Sequence, residues 1–235
     1  MECNICGSVE FEDFNGRTKA VCTNCRSMER TRALFHLVND LDVLKPGAKV
    51  LHFAPEMSLA RLFIERVGDE NYHRHDFSPE LFPPELGVTR FDLVTDVWGL
   101  PDDTYDLIIH SHVLEHVPCW LAAVFWNLQR ALKPDGRHVF ALPFLDVGGS
   151  SENLDPSIGD DARQIAFGQR DHVRAFSLHD VDATLGTLFT LNDTNSRFIL
   201  DEDFARKHNI ARGEVAKTFF ALRKSDWRLR VSAAC

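Results

Sequence analysis

Apolar residues in this chain fall into two rhythms. Short runs at Val50–Phe53, Asn71–His75, Val88–Val94, Tyr105–Ser111 and Arg137–Leu142 predict five strands. Between them, apolar positions recur at helical spacing. Leu34, Leu37, Val38 and Leu41 predict a helix over Met28–Asp40 with Ser27 as its N-cap. Leu59, Leu62, Phe63 and Val67 mark a second helix. Leu121, Val124, Phe125, Leu128 and Leu132 mark a third over Cys119–Lys133. Lys45-Pro46-Gly47 and Lys133-Pro134-Asp135-Gly136 read as turns, and the three prolines of Phe77–Glu85 make that stretch a loop. Further on, Ser177–Leu185 predicts a helix, and Leu188–Leu191 with Lys217–Arg223 a final strand pair.

Strands alternating with helices predict an α/β chain with a doubly wound, mostly parallel sheet. Residues 143–163 are polar, rich in Gly, Ser, Asp and Asn, and without a period. So long an interruption predicts a lid-like insertion, at about 143–176. The 235 residues suffice for one such domain and a small accessory module, and no apolar run reaches the roughly 18 residues a membrane helix requires. A net charge of −9 argues against a surface wholly given to nucleic acid or anionic lipid, although Arg206–Arg230 carries eight Lys/Arg against two acids. No basic, apolar leader opens the chain, so a cytoplasmic location is expected.

The six cysteines change the picture at the N-terminus. Cys3, Cys6, Cys22 and Cys25 form two C-x-x-C pairs separated by 15 residues. That spacing predicts a structural zinc ribbon over 1–27 ahead of the main domain at 28–235, because four thiolates fill a tetrahedral ion. Gly7 suits the left-handed knuckle after Cys6, and Asn15-Gly16 a hairpin turn. Cys119 reads as core and Cys235 as tail.

Candidate chemistry collects where strands should end, since open α/β sheets bind ligands there. The first strand runs into His52-Phe53-Ala54-Pro55-Glu56. Pro55 withholds an N–H donor and Glu56 adds negative charge, so this bend disfavours pyrophosphate and favours a nucleoside bearing a sulfonium and an ammonium. Asp76 follows the second strand, 22 residues after Ala54, close to the spacing of a ribose-binding carboxylate. Asp96-Val97 follows the third strand, and His112, Leu114, Glu115 and His116 the fourth. His110 and His112 would share a strand face, but no fixed ligand spacing supports a second metal there; lining of a pocket by His112 or His116 is the favoured reading.

Several of these stretches resemble class I S-adenosylmethionine-dependent methyltransferases: Val50–Glu56, Asp96–Asp106, His112–Pro118 and Leu128–Gly136. Cys25–Leu34 and Phe167–Arg174 ("FGQRDHVR") further resemble a bacterial subgroup carrying an N-terminal zinc ribbon. The resemblance implies S-adenosylmethionine as cofactor. Phe53, Ala54 and Glu56 would line its methionine end and Asp76 would hold the ribose diol. Asp96 would meet the adenine amino group with the Val97 amide nearby, and His112, Leu114 and His116 would lie beside the donor methyl. The wider family has an acid where His52 stands and glycines where Ala54 and Glu56 stand.

Phe167–Arg174 is the densest run of chemically capable side chains. His172 is the candidate general base, with Arg170 or Arg174 as clamps for an anionic acceptor; Arg30 and Arg32 read as helix-surface charge, with reach into the same cleft as the second reading. A small-molecule acceptor (a sugar, lipid precursor or natural product) is the primary expectation. Residues 1–35 carry five basic and five acidic side chains, so RNA docking through the ribbon is second. A non-catalytic zinc-binding adaptor is third.

Overall fold

In the computed structural model, which describes residues 1–196, 200–210 and 219–228, the first apolar run pairs on both sides. This strand, β3 (Val50–Phe53), lies parallel to β4 (Tyr72–Asp76) and to β6 (Tyr105–Ser111). With β5 (Thr89–Arg90), β7 (Leu132–Ala141) and β10 (Phe219–Arg223), they form one sheet in the order β10-β7-β6-β3-β4-β5. Only β10 runs antiparallel, against β7. The order reverses between β3 and β6, which opens the crevice where such sheets bind ligands.

Both sheet faces are covered, which explains the near-continuous apolar strands. Val50, Leu107, Ile109 and Val139 pack with Leu34 and Val38 of α1 (Glu29–Asp40) and with Leu59 and Phe63 of α2 (Met57–Val67). Leu51, Ile108 and Phe140 face the other way, against Val124, Phe125 and Leu128 of α3 (Leu121–Ala131).

Ahead of the sheet, β1 (Phe11–Phe14) and β2 (Arg17–Cys22) make a hairpin turning at Asn15-Gly16, both residues left-handed, as is Gly7. The remaining elements are β8 (Ser151–Glu152), α4 (Asp160–Phe167), β9 (Arg174–Ala175), α5 (Leu185–Leu188) and α6 (Glu202–Lys207). The aperiodic stretch before Arg174 thus contains structure, with β8 pairing β9. No helix among the described residues is long and apolar enough to cross a membrane.

Five expectations need correction. The third strand stops at Arg90 because Asp92 turns the chain: its Oδ1 accepts from the Val94 amide at 2.8 Å. Ser27 does not cap α1; Met28 occupies that place, and the Ser27 hydroxyl lies 3.3 and 3.1 Å from the Cys3 and Cys25 sulfurs. Lys133–Gly136 is a bulge within β7, since Tyr105 pairs with Leu132 but Leu107 with Arg137. A Cβ on Gly136 would lie 2.8 Å from the Tyr105 carbonyl, so the bulge requires glycine. Ser177–Leu185 holds a 3-10 turn at Leu178–Asp180 and further turns over 181–184 in place of one continuous helix, before α5 begins at Leu185. Phe189 bridges Trp227, and β10 pairs β7, burying Phe219, Phe220 and Leu222. Cys235 lies outside the described residues.

Candidate active site and metal centre

Among the described residues, two leave strands of the six-stranded sheet in the left-handed region without being glycine: Ala54 (φ 52°) after β3 and His112 (φ 55°) after β6. Each first extends its ladder, Ala54 N–H donating to the His75 carbonyl and His112 N–H to that of Ala141. The chain then turns sharply on both sides of the switch point. Left-handed backbone at non-glycine residues is unfavourable and concentrates at ligand sites.

Beyond Ala54, the buried His52 ring is held at both nitrogens, with Nδ1 2.8 Å from the Tyr72 hydroxyl and Nε2 3.2 Å from Glu56 Oε2. Burial raises the Tyr72 phenol well above its usual range. The other Glu56 oxygen, Oε1, is buried with no hydrogen-bond partner, as is the Ser111 hydroxyl at the end of β6. An orphaned carboxylate oxygen at the switch point fits a cationic group and repels phosphate.

Asp76 accepts the Ser78 amide at 2.7 Å and so caps its own turn while staying half-buried. Asp96 is exposed; its oxygens accept from the Asp92 amide and the Thr95 hydroxyl, which hold its pKa low. Phe53, Leu114 and Val97 bury their side chains in the apolar core, so what Phe53 and Leu114 offer a ligand is backbone. Val97 also borders an apolar cavity of about 340 Å³ with Trp98, Cys119, Trp120 and Leu154. Cys119 is therefore a half-buried cavity wall, not core.

The histidine cluster divides. His110 points into the core, its Nε2 2.9 Å from that of His138. His112 stays near Glu115, Nδ1 to Oε1 3.4 Å, and burial lowers its pKa to about 3, with Arg30, His172 and His116 adding to the effect. His116 meets His172 edge to face, ring centroids 4.7 Å apart. His172 is buried and its Nδ1–H donates to the Phe167 carbonyl at 3.1 Å, leaving Nε2 as the acceptor. Burial, then His116, lowers its pKa. Burial raises Glu115 to about 7.

Two sequence expectations fail here. Arg174 is no anion clamp: its buried guanidinium donates to the carbonyls of Leu114, Val117 and Cys119 and pairs with Glu152. Nor is Arg32 a helix-surface charge or a cleft residue; it is fully buried on the carbonyls of Ser27, Ala20, His208 and Asn209. Arg170 is exposed beside Asp161. Arg30 does act electrostatically on His112 and Glu115. Sequence periodicity carried no signal for Tyr72 behind His52, or for the amide of Val173 donating to the Glu115 carbonyl, because both contacts join distant segments.

At the N-terminus, ligand atoms of Cys3, Cys6, Cys22 and Cys25 all lie within 4.8 Å of one another. Cys3–Cys25 and Cys6–Cys22 sulfurs are 3.6 Å apart. That is too long for a disulfide and near the about 3.8 Å edge of a tetrahedron with zinc–sulfur bonds of about 2.3 Å. A hydrogen bond from Cys25 holds Cys3 down at about 4, and burial raises Cys22.

A family model described as a methyltransferase domain matches residues 30–190, more than half of the chain. Comparison with curated proteins gives no match. Among solved structures, an S-adenosylmethionine dependent methyltransferase from Mesorhizobium loti superposes with a TM-score of 0.54 at 18% identity, over 84% of this chain and 98% of that one. A SAM dependent methyltransferase from Archaeoglobus fulgidus gives 0.47 at 16% identity, over 82% and 92%. The likeness to the first is one of fold.

Proposed function

The chain belongs to the methyltransferase-domain family, and on that premise we propose that it moves a methyl group from S-adenosylmethionine to a nucleophilic oxygen, nitrogen or carbon of a small-molecule acceptor. The orphaned Glu56 Oε1 at the switch point carries this reading. It supplies the negative charge that a methionine ammonium and a sulfonium need, and that a phosphate would reject.

When bound, the cofactor supplies an electrophilic methyl, so the protein's part is alignment, exclusion of water and proton removal. His52, braced by Tyr72, holds Glu56 in place. The backbones at Phe53 and Ala54 border the methionine end, and the half-buried Asp76 takes the ribose diol with its free oxygen. Asp96 and the Val97 amide take the adenine edge. His112, Leu114 and His116 border the donor methyl. His172 keeps its Nε2 unprotonated, as removal of an acceptor's proton requires. Residues 143–176 act as the lid over this crevice.

The four cysteines hold a structural zinc ion in a ribbon over 1–27, joined to a methyltransferase domain over 28–235. Basic side chains of that ribbon are largely committed, Arg17 to Glu29 and Arg26 to Glu12, with Arg32 buried next to it. This favours a small acceptor over RNA.

Calorimetry tests the cofactor reading. Wild type is expected to bind S-adenosylmethionine, and Asp76→Ala to bind it roughly tenfold or more weakly, the loss of a charge-assisted hydrogen bond. Equal affinity of the two proteins would remove the ribose assignment.

A further inference from the structure

Glu115 is fully buried, yet neither of its carboxylate oxygens has a hydrogen-bond partner. The His112 ring, whose pKa is held low, places Nδ1 3.4 Å from Oε1. Around this carboxylate, ligand atoms of Glu115, His116 and His172 all lie within 4.8 Å of one another. Buried polar groups are almost always satisfied, so this one points to a partner that a protein side chain does not provide.

We infer that Glu115, His116 and His172 form a second metal site, distinct from the four cysteines, for a divalent first-row transition ion. The donor set selects the ion class: two imidazoles and one carboxylate suit iron(II), cobalt(II) or zinc(II), whereas magnesium and calcium prefer oxygen alone and copper(I) prefers sulfur. Three protein ligands leave coordination positions open.

The outer contacts are those such a site needs. Metal-binding imidazoles give their second nitrogen to a carbonyl or carboxylate, which fixes tautomer and ring orientation. His172 donates Nδ1–H to the Phe167 carbonyl, which directs the Nε2 lone pair outward. His116 Nδ1 lies 3.3 Å from both the side-chain Oδ2 and the carbonyl of Asp171. The frame is rigid as well, because the Val173 amide and the Arg174 guanidinium tie the Asp171–Arg174 segment to Leu114, Glu115, Val117 and Cys119. Four charged or titratable groups face the site from neighbouring segments: Arg30, Arg174, Asp171 and His112. Arg174 is already matched by Glu152.

The consequence for catalysis rests on the methyl-transfer reading. With its lone pair on a metal, His172 is a ligand and not a base. The ion would bind an acceptor oxygen directly and lower its pKa, so that its proton passes to solvent water before the oxygen takes the methyl, which favours acceptors presenting two neighbouring oxygens.

The test is a cobalt(II) titration of the full chain, followed by visible d–d absorption. The near-ultraviolet thiolate-to-cobalt charge-transfer band marks any ion held by the cysteines. Wild type should take up cobalt that gives d–d absorption without the thiolate band. Glu115→Gln and the half-exposed His116→Asn should each weaken that uptake at least tenfold, with far-UV circular dichroism unchanged. Should the buried Glu115→Gln unfold, His116→Asn decides. The inference is overturned if all bound cobalt carries the thiolate band, or if His116→Asn binds as wild type does. Calorimetry of the wild type with S-adenosylmethionine separates the two readings: cofactor binding without thiolate-free cobalt uptake removes the metal reading alone, and such cobalt uptake without cofactor binding removes the cofactor reading alone.

Discussion

His110 and His138 meet inside the sheet with both rings fully buried, and Gln129 Nε2 lies 3.1 Å from His138 Nδ1. Burial pushes His138 down to about 3 and His110 well below its usual range, the latter helped by His138 and His52. A histidine depressed on folding contributes stability that is present above its unfolded value, near 6.5, and is lost as pH falls towards the folded value. Denaturant unfolding should therefore show stability dropping between about pH 6.5 and 3, at up to about 1.4 kcal/mol per pH unit for each ring. His138→Leu should remove that ring's share of the slope; an unchanged slope would place the acid lability elsewhere. Sequence could not assign His110 to this pair. It sat two residues from His112, and only the turn at His112 sends the two rings apart.

At the scale of elements, Arg174 shows why a motif's residues must be placed before they are given work. In the sequence it belongs to a run that promises substrate contacts. In the fold it locks β9 to the turn after β6 through three carbonyls and Glu152. Arg174→Met should cost about 3 kcal/mol or more in chemical denaturation, since it strands several buried acceptors. Arg174→Lys should recover little, because one ammonium cannot replace a five-donor fork; a lysine variant as stable as wild type would reject this role. The parallel strands and the helices packed on them were legible from periodicity to within a few residues. Among the parallel strands the errors fell at β5 and Lys133–Gly136, where local side-chain hydrogen bonds and a bulge override apolar spacing.

Across the whole molecule, the cysteine-rich hairpin is not hung on a linker. Arg32 bonds to Ala20, Ser27, His208 and Asn209, the Glu2 amide donates to the Lys207 carbonyl, and Asn4 donates to the Arg32 carbonyl. Stripping the zinc proposed for the four cysteines with a strong chelator, or Cys22→Ser, should therefore lower the main calorimetric transition of the chain by several degrees. A separate small transition with the main one unmoved would show that the hairpin folds independently.

The chain's own residues determined the sheet class, the four-cysteine spacing and the negatively charged bend at the switch point, because each depends on neighbours a few positions apart. Tertiary structure alone decided what meets across long separations. It set Tyr72 behind His52, put His172 against Glu115 and His116, and spent Arg32 and Arg174 on buried carbonyls. Those pairings follow from how sheet order and crossovers fold distant loops onto one crevice, a three-dimensional fact that no local period encodes.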